Sequence, residues 1–516
     1  MLRMRRAQKA TAVAVLTLAA AALGPAGSAN ALASAKTVTI KVVGISRTGE
    51  TVAVGSSVAP LHGNAIPGNG STYRLRPGTY FISGDVPTPT SNKNVVDQTI
   101  VVRQVDVRNS GTIKLDSRGG KLVSVWLNGK ELSPDVGGSL AARACVANSA
   151  GGIDAYLNGP IYVKPTRIKG LSLIWAWTSG TDTGPRYDLT GETKNNLPAH
   201  PAFRLRTSQL VKTVVQVKAG TVAGTSGHLY TTSSVNPDCS MGGIQQPVTV
   251  PSSITVYRSP AFWETELDTF FGSRQCGLDI VATKEIQGHR HYTVPIGAAA
   301  RGPYAAVPTV QSNKLSYDTQ YQFVGPAFES IDYCFKSTVT LASGGHTIAS
   351  GPGGPFHVFT AKVYPGRWYV LTTRSWQVPA GLNPTRLLSS RTTLAWRFKF
   401  AKNAFGAVPV AVTSLVPRGL NLSNRAAPGS MTSVRAFFTQ DKYALPPPAV
   451  PVRSFTVQAS FNDGKTWHRV AVVKHKGFWT FVVHNPSSGF VTLRTTTVNT
   501  HGNSSVETIY RAYGIR

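Results

Sequence analysis

Residues 453–516 read RSFTVQASFNDGKTWHRVAVVKHKGFWTFVVHNPSSGFVTLRTTTVNTHGNSSVETIYRAYGIR. Apolar and polar side chains alternate through Ser454–Ala459, Trp479–Val483 and Val491–Val498, the period-two pattern of strands that bury one face. Asn462-Asp463-Gly464 and His501-Gly502-Asn503 separate these runs, and such residues accept the positive φ of tight turns. The stretch is expected to form a small antiparallel β-module that closes the chain.

The same alternation recurs upstream. Thr37–Val43, Thr99–Val107, Leu171–Trp177, Val211–Val217, Ser253–Tyr257 and Trp368–Thr373 all read as strands, and no amphipathic run of helical period separates them. A chain of 516 residues with 49 Gly and 33 Pro fits several domains of short strands and tight turns. The expected fold is all-β, a tandem array of β-sandwiches. The expected units are a leader at 1–35, a first sandwich at 36–118, central β-domains at 119–246 and 247–388, and an immunoglobulin-like sandwich at 389–516. In the first unit, Leu75-Arg76-Pro77-Gly78-Thr79-Tyr80 resembles the turn of the prealbumin-like module found in carboxypeptidases and bacterial adhesins. That resemblance implies a spacing or positioning unit without catalysis of its own. Ala444-Leu445-Pro446-Pro447-Pro448 is expected to be a stiff connector.

The leader is expected to direct export. Arg3, Arg5, Arg6 and Lys9 precede the apolar run Thr11–Leu23, and Ala-x-Ala sites end at Ala31 and Ala35. The run is too short for a stable membrane span. Cleavage before Lys36 leaves 49 basic against 23 acidic residues, a net charge of +26. A secreted or cell-wall-associated protein is therefore expected. Its charge favours an anionic wall polymer, a polysaccharide or another extracellular protein as partner. The basic residues are scattered and carry no groove-reading motif, so specific nucleic-acid binding is not expected.

Cys145, Cys239, Cys276 and Cys334 are an even set, which in an exported chain favours two disulfides with three possible pairings. Their spacings of 94, 37 and 58 residues match no zinc pattern, and no cofactor or metal motif is assigned.

Three fragments echo a subtilisin-type triad in that family's order: Asp182 in Thr181–Gly184, His346 in Gly345–Thr347, and Ser430 in Gly429–Thr432. The surroundings do not suit it. That nucleophile and its base require structured turns in contact, whereas Gly351-Pro352-Gly353-Gly354-Pro355 forbids a helix after His346. No catalytic residue is therefore assigned. Ser460–Trp467 resembles the Asp box of sialidase-like propellers, with Asn462 at the Asp position, but it occurs once. It is expected to be a plain hairpin with Trp467 in the core, and Asn462 with Asp463 are too few ligands for calcium. Glu264 and Glu266 beside Trp263 are an example of a carboxylate pair that glycoside hydrolysis could use, and no motif supports them. Trp175, Trp177, Trp263 and Trp376 are candidates for stacking on sugars, or else core residues.

Ser460–Val472 and Val491–Gly514, which ends in Arg511-Ala512-Tyr513-Gly514, resemble the C-terminal accessory β-region of large secreted bacterial subtilisin-like serine proteases. In that family the region follows a catalytic domain, whose place here is taken by the leader. The resemblance thus implies an accessory region without the peptidase, and the expected function is non-catalytic extracellular binding or scaffolding. The competing expectation is a divergent hydrolase, peptidase or glycan-active, using the central domains.

Overall fold

The computed structural model describes residues 37–62, 64–91, 96–132, 138–146, 152–155, 160–179, 186–220, 226–236, 239–242, 246–271, 273–283, 291–303, 307–325, 329–378, 387–401, 405–439 and 451–516. The expected leader at 1–35, Asp182 and the expected connector at 444–448 lie outside these residues. The fold is all-β: the described residues hold eight sheets and no α-helix. No described helix is long and apolar enough to cross a membrane.

In the first unit Val38–Ile45 pairs with Thr72–Leu75 and, in parallel, with Gly111–Asp116. This sheet faces a second one built on Gly78–Pro89 and Val96–Val107. Ile40, Val42, Leu75, Ile82 and Leu115 fill the space between them. The second sheet also takes Ile161–Val163, parallel to Val96–Val107. Strand pairing therefore crosses the expected division at residue 118.

The central region sets a seven-stranded sheet beside a six-stranded one. Val215, Leu229, Val256 and Leu267 form part of the apolar layer that joins them. Arg186–Leu197 pairs in parallel with Ser252–Arg258, so this sheet spans the expected division at residue 246. Cys276 is bonded to Cys334, and Cys145 is disulfide-bonded as well.

A nine-stranded sheet organises the last third. From one edge its main strands are His346–Gly353, Phe335–Ser343, Tyr369–Gln377 and Arg391–Phe398. Ser504–Ile515, Gly489–Asn499, Val452–Ser460 and His468–Val470 continue it. The division expected between residues 388 and 389 falls inside this sheet, between two hydrogen-bonded strands. One face is covered by two four-stranded sheets. Leu371, Trp396 and Phe398 pack toward Leu315 and Tyr317 of one, and Phe455, Val457 and Leu493 pack toward Val434 and Phe481 of the other. Two sandwiches therefore share a single continuous sheet.

The alternation explains this arrangement. In Tyr369–Gln377 the buried residues are Tyr369, Leu371, Thr373 and Ser375, while Val370, Arg374 and Trp376 face outward. The first hairpin closes through Gly344 and Gly345, at φ 59° and 85°, the two positive-φ positions that a two-residue hairpin turn needs.

Candidate functional site

The uncovered face of the nine-stranded sheet is the candidate site. In antiparallel pairing, directly opposed residues share a face, so the register defines cross-strand rows. One row joins Thr338, Arg374, Thr393 and Thr508, and runs on through Arg494, Gln458 and Arg469. With strands about 4.8 Å apart, Arg374 and Arg494 stand about 14 Å apart, and Arg494 and Arg469 about 10 Å apart. The adjacent row joins Lys336, Trp376, Arg391 and Tyr510. Beyond the first row, a third places Thr340, Thr372, Thr496 and Thr456 on the same face.

The strands of this sheet carry one acidic residue, Glu507. It points inward, fully buried, and accepts a hydrogen bond from the Thr413 N–H at 3.3 Å. Burial pushes its carboxyl well above the usual range. The outward rows are therefore cationic and hydroxylic, with no carboxylate among them. The first unit differs, because Arg108 and Arg118 are each paired with an aspartate two residues away, Asp106 and Asp116.

Several guanidinium groups on this face lie over aromatic rings. Arg494 sits 3.8 Å from the centre of Trp467, Arg391 3.7 Å from Tyr510 and Arg397 3.7 Å from Trp368. Each stack is worth about 0.5–1 kcal/mol at an exposed site and fixes the plane of the guanidinium. Its edge donors are left to meet an anion.

The Ser460–Trp467 loop builds one of these stacks. Ser460 Oγ accepts from the Gly464 N–H at 2.9 Å, and Asn462 Oδ1 accepts from the Thr466 N–H at 2.9 Å. Asp463 takes Arg511 with two oxygens, at 3.1 and 2.7 Å, and Arg511 holds its carboxyl below the usual carboxylate range. Trp467 corrects the expectation of a core residue: it is only half-buried, on the outer face beneath Arg494. Ser460 and Asn462 are spent on the turn itself and Asp463 on Arg511, and no group of three metal-ligating side chains occurs among the described residues.

The candidate residues from sequence separate clearly. Trp175, Trp177 and Trp263 are buried, at 2%, 3% and 1% exposure, whereas Trp376 is 37% exposed on the basic face. Ser430 Oγ donates to the Ala427 carbonyl and accepts from Asn485. His346 stands at a hairpin end on a different sheet, so the structure does not join these two members of the suspected triad. Glu264 and Glu266 lie two residues apart on one strand, and neither is free. Sequence reading missed Lys336, Arg374, Arg391, Arg469 and Arg494, which only strand register brings together.

The deeply buried ions tie sheets together. Arg186 and Arg258 both donate to Asp188, at 2.8 and 3.2 Å, and reach Thr231 and Thr265 of the facing sheet. Arg301 donates to both oxygens of Asp279, at 2.9 and 2.7 Å. Nearby Asp332 is pushed up to about 6, chiefly by burial, with Arg301 opposing. Removing one member of such a set leaves an uncompensated charge in the interior.

No family model matches the chain, and no curated protein matches it. Among solved structures, Escherichia coli alpha-2-macroglobulin activated by porcine elastase is 10% identical, covering 93% of this chain and 53% of that one, at TM-score 0.14. A point mutant of Salmonella alpha-2-macroglobulin is 8% identical, covering 89% and 37%, at TM-score 0.17. The chain thus spans about half or less of these proteins, and likeness at such scores supports no functional conclusion.

Proposed function

We propose that this is a non-catalytic extracellular binding protein, an array of β-sandwiches that holds an anionic polymer on the outer face of its nine-stranded sheet. The observation that carries this reading is the row through Arg374, Arg494 and Arg469, which crosses seven strands without a carboxylate. A polymer with repeated negative charge meets several cations at once, and the threonine rows offer hydroxyl partners between them. The leader at 1–35 and the likeness of the terminal stretch to protease accessory regions support a role outside the cell.

The test is retention of the mature protein on immobilised polyanion and on a neutral polymer, with the double variant Arg374→Glu/Arg469→Glu as control. Both residues are exposed, so the fold should tolerate the change. Retention confined to the polyanion and lost in the variant supports the reading. Equal retention of parent and variant overturns it, since the overall positive charge would then suffice.

A further inference from the structure

Among the described residues, Trp376 is the one exposed aromatic ring on this face that lacks a cationic cap. Tyr510, Trp467 and Trp368 each lie under a guanidinium. Trp376 has no ring or cation–π partner among the described residues, although Lys336 and Arg391 are its direct cross-strand neighbours. Arg391 is turned toward Tyr510 instead. Arg374 lies two residues back on the same strand and face, about 7 Å away. Three cations therefore surround an open indole, and none of them makes an ion pair among the described residues. Asp463 is held by Arg511, and the charge of Arg391 also acts on its carboxyl.

An indole left 37% exposed forgoes part of the burial gain that its area would supply. Trp175, Trp177 and Trp263 show that this chain buries tryptophan where it serves packing. We infer that Trp376 is the sugar-stacking position of an anionic glycan subsite. The apolar face of a pyranose ring lies on the indole, and the sugar's acidic substituent meets Lys336, Arg374 or Arg391. This inference rests on the polymer-binding reading and narrows it to a glycan that carries its charge on the sugar. Single-stranded nucleic acid fits less well, because it calls for successive free rings for successive bases, and among the described residues of this face one ring is open.

The test measures binding of the full mature chain to polygalacturonate, dextran sulfate, linear polyphosphate, an oligothymidylate and neutral dextran, at matched ionic strength. The parent should bind both acidic glycans more tightly than polyphosphate. Trp376→Ala should weaken both glycans about tenfold and leave polyphosphate unchanged, while Trp376→Phe should restore most of the loss. The ratio between the two glycans shows whether carboxylate or sulfate suits the cations better. Equal loss for polyphosphate and glycans in Trp376→Ala would overturn the subsite, as would an oligothymidylate that binds more tightly than either glycan. Absence of binding to every polyanion would instead sink the parent reading, a distinguishable result.

Discussion

Arg494 lies over the indole of Trp467 with its guanidinium carbon 3.8 Å from the ring centre, and its Nε donates to Thr508 Oγ1 at 3.3 Å. The hairpin that resembles an Asp box thus acts as a support, fixing one cation of the central row.

Trp467→Ala should therefore act on binding through Arg494. Loss of the half-buried ring should cost about 1–2 kcal/mol of stability, and release of Arg494 into many rotamers should weaken polyanion binding severalfold. Denaturant unfolding and titration calorimetry measure the two effects. Unchanged affinity would show that Arg494 needs no support from the ring.

Asp463→Asn should remove the paired acceptor of Arg511. Because Asp463 is 43% exposed at its side chain, the cost at pH 7 should stay below about 1 kcal/mol. The carboxyl is held below its unfolded value. Its contribution is therefore present above the unfolded carboxylate range and is lost as pH falls through the folded value. The melting-temperature gap between parent and variant should close in strong acid. A gap that persists there would assign the loss to the turn and not to the ion pair.

How far the sequence reveals this follows from which contacts are local. Alternation and turn residues disclose the all-β class and most strand positions, as in Tyr369–Gln377 and Val452–Ser460. They cannot disclose which distant strands pair. Arg391–Phe398 lies between Tyr369–Gln377 and the chain's last strand, and without that pairing Arg374, Arg494 and Arg469 are separate surface residues. Likewise, four tryptophans look alike in sequence, and only the covering sheet separates Trp263 from Trp376.

Asp85 offers a pH test within the first sandwich. Burial pushes its carboxyl up to about 6, and its Oδ1 has no hydrogen-bond partner. A raised folded value means that its contribution is fully present below the unfolded carboxylate pKa and is lost as pH rises through about 6. Asp85→Asn lacks this loss. The variant's advantage over the parent should grow between about pH 4 and 7, by on the order of 2 kcal/mol. Chemical unfolding across that range checks it, and a constant difference would contradict the assignment.

The most direct measurement is an arginine-labelling footprint of the full chain with and without polygalacturonate, read residue by residue by mass spectrometry. Arg374, Arg391 and Arg469 should be strongly protected, with Arg108 and Arg118 of the first sandwich labelled as in the free protein. Equal protection of Arg108 and Arg118, or none at Arg374 and Arg469, would contradict the polymer-binding reading.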